Sequence, residues 1–458
     1  MTRSVFLRGL AIVYLIAFAS LLPQMAGLIG SHGVLPAHDY LDRIHSEYGT
    51  GGYALFPTLA WLNSSDAFLR AIVWAGIVLA VLLLAGLVPL PAAIGLFVLY
   101  LSIDTIGQAF YSFQWDALLL EVGFAAILVA PLGFRPSYST PPSRIAVWVF
   151  RLLIFRLMLE SGAVKLLSGD PSWRRLTALS YHYETQPLPT PMAWYAHQLP
   201  SILQKISVVG VFAAELIVPV LFLTTRRLRT IAACITIAFQ LMIAFTGNYT
   251  FFNLLTILLC VFLFDVKRTE RAPWNARFIG VALIVVGFLQ LITMFGIPRN
   301  LPEPFASVDF RAETFHIVNH YGLFAVMTTS RLEIVIEGSD DGKQWKPYEF
   351  KYKPGGVFRK LPWAAPYQPR LDWQMWFAAL SNYQNNPWFQ GLVLRLLEGA
   401  PDVTALFASN PFPDKPPRFI RALAYDYHFS DWTTRRNAGA VWTRTPAGEY
   451  FPVVSLKQ

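Results

Sequence analysis

Eight ionisable residues lie inside otherwise apolar stretches: Asp104, Asp116, Glu121, Arg151, Arg156, Glu160, Lys165 and Glu215. A charge in hydrocarbon is costly, so such residues are kept for a partner or a function. Arg156 and Glu160 are four apart, on one helix face, and can neutralise each other. Asp104, Asp116, Glu121, Glu160 and Lys165 fall at a shared depth. That placement fits two arrangements, ion pairs that lock helices together or a polar cavity opening to one side. Outside the apolar stretches, His182 and Glu184 can act as acid and base, or simply as hydrogen-bonding groups. His316 and His320 have the spacing of metal ligands on a helix, but Phe315 to His320 alternates like a strand, so no metal site is expected. There is no GxSxG, HExxH, P-loop or GxGxxG motif, and no cofactor is expected.

The elements that must position these residues follow from composition. Of 458 residues, 55% are hydrophobic and 14% charged, against roughly 25% charged in an ordinary soluble domain. Mean hydropathy is +0.44. These values exclude a disordered chain, a collagen-like fibre and a disulfide scaffold, and predict a polytopic α-helical membrane protein. The net charge of +9 belongs to loops beside lipid headgroups rather than to nucleic-acid binding. Nine apolar windows predict about nine transmembrane helices, over 5–29, 68–88, 91–107, 116–133, 145–167, 206–223, 230–247, 252–266 and 278–297. The first is too long for a signal-peptide core and reads as an anchor. A tight turn at Val88-Pro89-Leu90-Pro91 joins the second to the third.

Orientation follows from Lys and Arg in short loops. With the N-terminus in the cytoplasm, Arg3, Arg8, Arg135, Arg144, Arg226, Arg227, Arg229, Lys267, Arg268, Arg271 and Arg277 fall inside. The opposite side holds chiefly Arg43, Arg174 and Arg175. Nine crossings then leave the C-terminal part exported. The long external loop 168–205 has three prolines within 187–191, which stiffen it toward extended chain. Gly247-Asn248-Tyr249-Thr250 makes a polar turn, and Asn63 and Asn248 begin N-x-S/T sequons.

The chain is expected to divide into a helical membrane domain, 1–298, and a soluble α+β domain, 299–458, which holds 18 basic and 15 acidic residues and no cysteine. Arg331 to Lys353 alternates around Asp341-Gly342, a β-hairpin signal. Amphipathic helices are predicted over 371–382 and 387–399, and a strand over 416–427. Trp363, Tyr367, Trp373, Trp376, Phe377, Trp388 and Phe389 fall within 27 residues. They suit a core, or an exposed surface that grips a client or the membrane interface.

Four blocks together resemble the lipase maturation factor family. They are residues 182–191 (HYETQPLPTP), 248–256 (NYTFFNLLT), 368–380 (QPRLDWQMWFAAL), and Pro387-Trp388-Phe389 leading into 393–397. Residues 318–324 and 337–339 are similar too. The resemblance implies a multi-pass membrane chaperone that assists folding of secreted lipases in the endoplasmic reticulum, with its C-terminal domain in the lumen. The chain's length and cysteine-free exported half are similar to a bacterial-type homologue in an inner membrane, with that domain in the periplasm. The expected partners are an exported lipase-like client and membrane lipid. Contact residues are expected at His182, Tyr183, Glu184, Gln186, Asn248, Tyr249, Asp372, Trp373, Gln374 and Trp376, with Trp373 and Trp376 forming one exposed stripe.

A shorter block, Ser161 to Leu166 followed by Trp173, is similar to the helix end of vitamin K-dependent γ-carboxylases. That likeness implies an alternative, a membrane enzyme, γ-carboxylase-like or quinol-dependent. Lys165 would be its base, supported by Glu160 and Glu121, at an outward-facing cavity.

Overall fold

The computed structural model describes residues 2–264, 269–296 and 302–456. The basic residues Lys267 and Arg268, the end of the 252–266 segment and the boundary at 298/299 lie outside the described residues.

Among the described residues, six helices are long and apolar enough to cross a membrane. They are Thr2–Leu21, Asp66–Ala85, Pro89–Tyr111, Ser201–Leu221, Arg226–Thr246 and Trp274–Met294. The other three expected spans are helices of a different kind. Gln114–Ala126 has 13 residues, about 20 Å at 1.5 Å per residue, against a hydrocarbon core of about 30 Å. The expected span at 252–266 is shorter still.

 It is the helix Phe252–Leu259, which ends in a 3-10 turn at Cys260–Phe262. Arg144–Leu167, with 24 residues, is long enough, but Arg151, Arg156, Glu160 and Lys165 interrupt its apolar character. These three helices sit in the middle of the bundle, where Leu118, Leu119, Phe150, Ile154, Leu255 and Leu259 are fully buried. Phe150 stacks on Phe262 at 4.2 Å between ring centroids. A helix enclosed by protein can carry polar groups that a lipid-facing one cannot.

The prolines at 89 and 91 start a helix rather than interrupt one. Gly86 closes the preceding helix at φ +78°, and Pro89 occupies the first turn of the next, where its missing N–H costs nothing. The external loop 168–205 contains the helices Pro171–Arg174, Ala178–Thr185 and Pro191–His197. Extended chain is confined to the residues between the last two, where Pro189 bridges to Gly247. His182 and Glu184 therefore ride on a helix, contrary to the expectation of a stiff extended loop.

The C-terminal part is α+β with small antiparallel sheets. Strands β1 (Leu332–Ser339), β2 (Lys346–Pro347), β5 (Phe419–Phe429) and β6 (Trp442–Val454) form one sheet in the order β2-β1-β5-β6. Strands β3 (Glu349–Phe350) and β4 (Phe407–Ser409) form a second. The hairpin expected at Asp341-Gly342 joins β1 to β2, with Glu337 opposite Pro347. Gly342 adopts φ +71° there, a conformation glycine takes without a Cβ clash. The two expected helices are Arg370–Ala378 and Pro387–Leu397. One hydrophobic core runs from Phe6 in the first helix to Phe451 in the last strand. The sheet-bearing part is thus packed into the helical part.

Candidate functional site

The charges buried among the apolar helices form three separate sets, not one polar cavity, and two sets take partners from the C-terminal part. In the first, the Arg156 guanidinium lies 3.1 Å from Glu121 and 3.2 Å from Glu160. It also donates to Gln290 and to the Asn319 carbonyl. Glu121 accepts from the Asn319 backbone N–H at 2.9 Å and the Tyr321 hydroxyl at 2.7 Å. Glu160 accepts from the Tyr321 N–H at 2.9 Å. Every buried carboxylate oxygen here has a donor, the condition under which such a group is tolerated. Beside this set, His316 lies 3.3 Å from Asp104 and bonds Asn319 at 2.8 Å. Burial alone would lower the His316 pKa, but the Asp104 carboxylate outweighs it and raises the imidazole to about 9.

In the second set, Arg370 grips Asp116 with both terminal nitrogens, at 3.0 and 2.9 Å. The Tyr100 hydroxyl donates to the same carboxylate at 2.5 Å, and Gln368 and the Phe110 carbonyl take other Arg370 protons. The guanidinium stands 3.3 Å from the centre of the Tyr111 ring. Paired, planar contacts of this type favour arginine over lysine.

The segment 182–191 forms a joint between the two parts. Arg331 donates to the carbonyls of Glu184, Gln186 and Pro187, and is itself paired with Glu333 at 2.6 Å. The Glu184 carboxylate accepts the Phe429 N–H at 2.6 Å and meets His428 Nδ1 at 3.0 Å. Trp376 donates its indole N–H to the Thr185 carbonyl at 2.7 Å. Gln186 accepts from the Tyr249 hydroxyl at 2.9 Å, and that hydroxyl lies 3.1 Å from His182 Nε2. Asn248 uses its whole amide: Nδ2 donates to Leu188 and Pro362, while Oδ1 accepts from Ala364 and Ala365. It is 2% exposed, so its sequon is closed in the folded protein, whereas Asn63 is exposed.

The expected exposed aromatic stripe is buried. Trp373 packs edge-on against Trp115 at 4.6 Å and lies near Phe113 and Tyr249. Asp372 accepts the N–H groups of Tyr352 and Lys353 at 2.7 and 2.8 Å. Gln374 and Met375 are buried as well. The physical reason is that this helix has protein on both sides, the sheet of its own part and the helix starting at Gln114. The exposed aromatics of the region are instead Phe358, Trp363, Phe377 and Trp432.

The third set is Lys165, 2.7 Å from Glu215, with the Ser161 carbonyl as a further acceptor at 2.8 Å. Glu215 lies in a π-helical turn, Ala213–Ile217, inside the span Ser201–Leu221. Pro219 lacks the N–H that would bond the Glu215 carbonyl, which favours this widened turn. Gly162 permits the approach of the two helices, since a Cβ there would come within 2.8 Å of Glu215. The pair lines a cavity of about 610 Å³, together with His182, Tyr183, Tyr249, Gln240 and Asn253 among many apolar side chains. Burial, with the Lys165 charge nearby, lowers the His182 pKa to about 4, so the imidazole is neutral at physiological pH.

Of the residues expected to act together, His182, Gln186 and Tyr249 meet, and His182, Tyr183, Tyr249 and Lys165 share the cavity. Glu121 and Glu160 belong to the Arg156 set, away from Lys165. The residues that sequence reasoning missed are Arg331, Arg370, Asn319 and Tyr321. The last three stand inside blocks already singled out by resemblance, and that was their signal. His316 and His320 turn to different carboxylates, Asp104 and Glu313. Among the described residues, no group of three or more His, Cys, Asp or Glu could hold a metal ion.

Residues 1–271 match the family described as lipase maturation factor transmembrane domain, and residues 317–452 the lipase maturation factor C-terminal domain. Lipase maturation factor 2 of Gallus gallus is 36% identical, over 99% of this chain and 81% of its own length. The Homo sapiens protein of that name is 35% identical, over 99% and 82%. Lipase maturation factor 1 of Bos taurus is 34% identical, over 99% and 89%. No solved structure matches this chain. Matched along nearly its whole length, and with blocks 182–191, 248–256 and 368–380 meeting at the joint between bundle and sheet, this multi-pass membrane protein belongs to the lipase maturation factor family.

Proposed function

We propose that the protein is a membrane-embedded chaperone that assists folding or assembly of an exported lipase-like client. The observation that carries this reading is the joint: residues 182–191 and 248–253 are clamped by Arg331, Trp376 and the 362–365 backbone. A domain held this firmly on a membrane anchor can present one fixed face to a client emerging from the bilayer. The client is met at the exposed aromatics Phe358, Trp363, Phe377 and Trp432, because aromatic anchors supply much of the binding energy at protein interfaces. In this reading His182, Tyr183, Glu184, Gln186, Asn248, Tyr249, Asp372, Trp373, Gln374 and Trp376 act from within the joint, by fixing the domain that carries those aromatics.

In this reading residues 1–298 are the membrane domain and 299–458 the client-facing domain. The N-terminus is cytoplasmic, and the three central helices, short or charged but enclosed by the six longer spans, cross as well, which makes nine crossings. The second domain then faces the periplasm of a bacterial inner membrane, or the equivalent endoplasmic reticulum lumen. The test is co-expression with a secreted lipase, reading lipase activity per amount secreted. Trp363→Ala with Trp432→Ala should lower that activity while leaving the level of this protein unchanged. Unchanged lipase activity would overturn the assigned face.

One observation favours an enzyme instead, the position of Lys165 on a cavity wall. Exchanging Lys165→Met together with Glu215→Leu removes the pair without stranding a charge. Retained lipase maturation in this double variant supports the chaperone; its loss at normal protein level supports Lys165 chemistry.

A further inference from the structure

The cavity behind Lys165 is open on the lipid side. Gly210, Ile235, Ala238 and Met242 line it and are also exposed on the outer face of the bundle. The spans Ser201–Leu221 and Arg226–Thr246 therefore leave a gap between them. At Gly210 the gap is plain, because no atom lies within 4 Å of the position a Cβ would take. Such a face looks onto hydrocarbon, so what enters sideways comes from the bilayer.

Size and polarity narrow the occupant. A volume of about 610 Å³ lies within the roughly 300–1,000 Å³ usual for small-molecule pockets. At about 30 Å³ for a group the size of water, it takes about twenty heavy atoms. That suits one long acyl chain with a small head, and not a two-chain phospholipid. Most of the wall is apolar, whereas one polar end carries the Lys165–Glu215 pair and His182 beside Tyr249. Lys165 and Glu215 cancel each other at 2.7 Å, and burial keeps His182 neutral. A carboxylate or phosphate head would bring an uncompensated charge into this end, whereas hydroxyl groups can both donate and accept there.

We propose that this cavity binds an uncharged single-chain lipid of the monoacylglycerol class, its chain against Met158 and Phe239 and its hydroxyls beside Lys165, Glu215 and His182. This goes beyond the client-binding reading and is independent of it.

The test uses the full chain in phosphatidylcholine nanodiscs and a monooleoylglycerol carrying a diazirine in its chain. Illumination should label peptides containing Met158 or Phe239, and excess unlabelled monooleoylglycerol should abolish the labelling. Gly210→Trp places its side chain in open space at the mouth and should reduce labelling about tenfold or more, with an unchanged melting temperature. Gly210→Leu, a smaller plug, should reduce it less and keeps the test valid if the indole disturbs folding. Absent or uncompeted labelling, or labelling unaffected by both variants in folded protein, would overturn the proposal. Equal competition by oleate or lysophosphatidylcholine at neutral pH would overturn the assigned head group.

Discussion

Arg156 answers to two carboxylates, and this changes what a charge-removing experiment should show. Replacing Arg156→Met with Glu160→Leu removes the i,i+4 pair but leaves Glu121 buried without its guanidinium. Losing one partner of a buried pair costs about 3–5 kcal/mol, so this double variant should express poorly. Adding Glu121→Gln, which still accepts from Asn319 and Tyr321, should recover much of the level, as read by immunoblot of the membrane fraction. Two histidines give opposite pH responses. His182 is held below its ordinary pKa of 6.5, at about 4. Its contribution is complete above 6.5 and is lost as pH falls toward 4, at about 1 kcal/mol per pH unit. His316 is held above 6.5, at about 9, so its contribution is complete below 6.5 and is lost as pH rises through 9. Melting temperature should therefore fall on both flanks, and Asp104→Asn should remove the His316 part of the alkaline loss.

At the scale of elements, the helix Arg370–Ala378 corrects a natural expectation. Trp373 and Trp376 share a face and both are buried, so Trp373→Ala should cost about 3–5 kcal/mol and lower the melting temperature and the protein level together. Selective loss of client maturation at normal level is not expected of it. The hairpin at Asp341-Gly342 and the two helices after it were legible because turn chemistry and periodicity are local. Strand β6 was not, since Thr443 to Glu449 is exposed and offers no apolar alternation. The helices within 168–205 were hidden by their prolines, one of which starts a helix at Pro191. The number of crossings was not legible in the centre of the bundle, where apolar sequence reports burial in protein as readily as in lipid. Within the site, Arg156–Glu160 was legible as a local pair. Arg370–Asp116 was not, because nothing in one sequence links residues 254 positions apart.

For the whole molecule, orientation is the first thing to measure. A phosphatase fused after Arg227 should be inactive and one fused after Leu456 active, by the charge of the flanking loops; the reverse pattern would invert every outward assignment. The C-terminal part should not survive alone. Expressed as residues 302–456, it would expose Trp373, Arg370 and Tyr321, all now buried against the helices, and should aggregate or show no cooperative melt. The converse applies during synthesis. Asp116 leaves the ribosome 254 residues before Arg370, a delay of about 13–50 s at roughly 5–20 residues per second. Throughout that interval Asp116 lies in the helical part without the guanidinium that later neutralises it. The bundle cannot reach its final packing until Arg370 has been made, so the nascent protein is itself a substrate for whatever machinery shelters half-inserted chains.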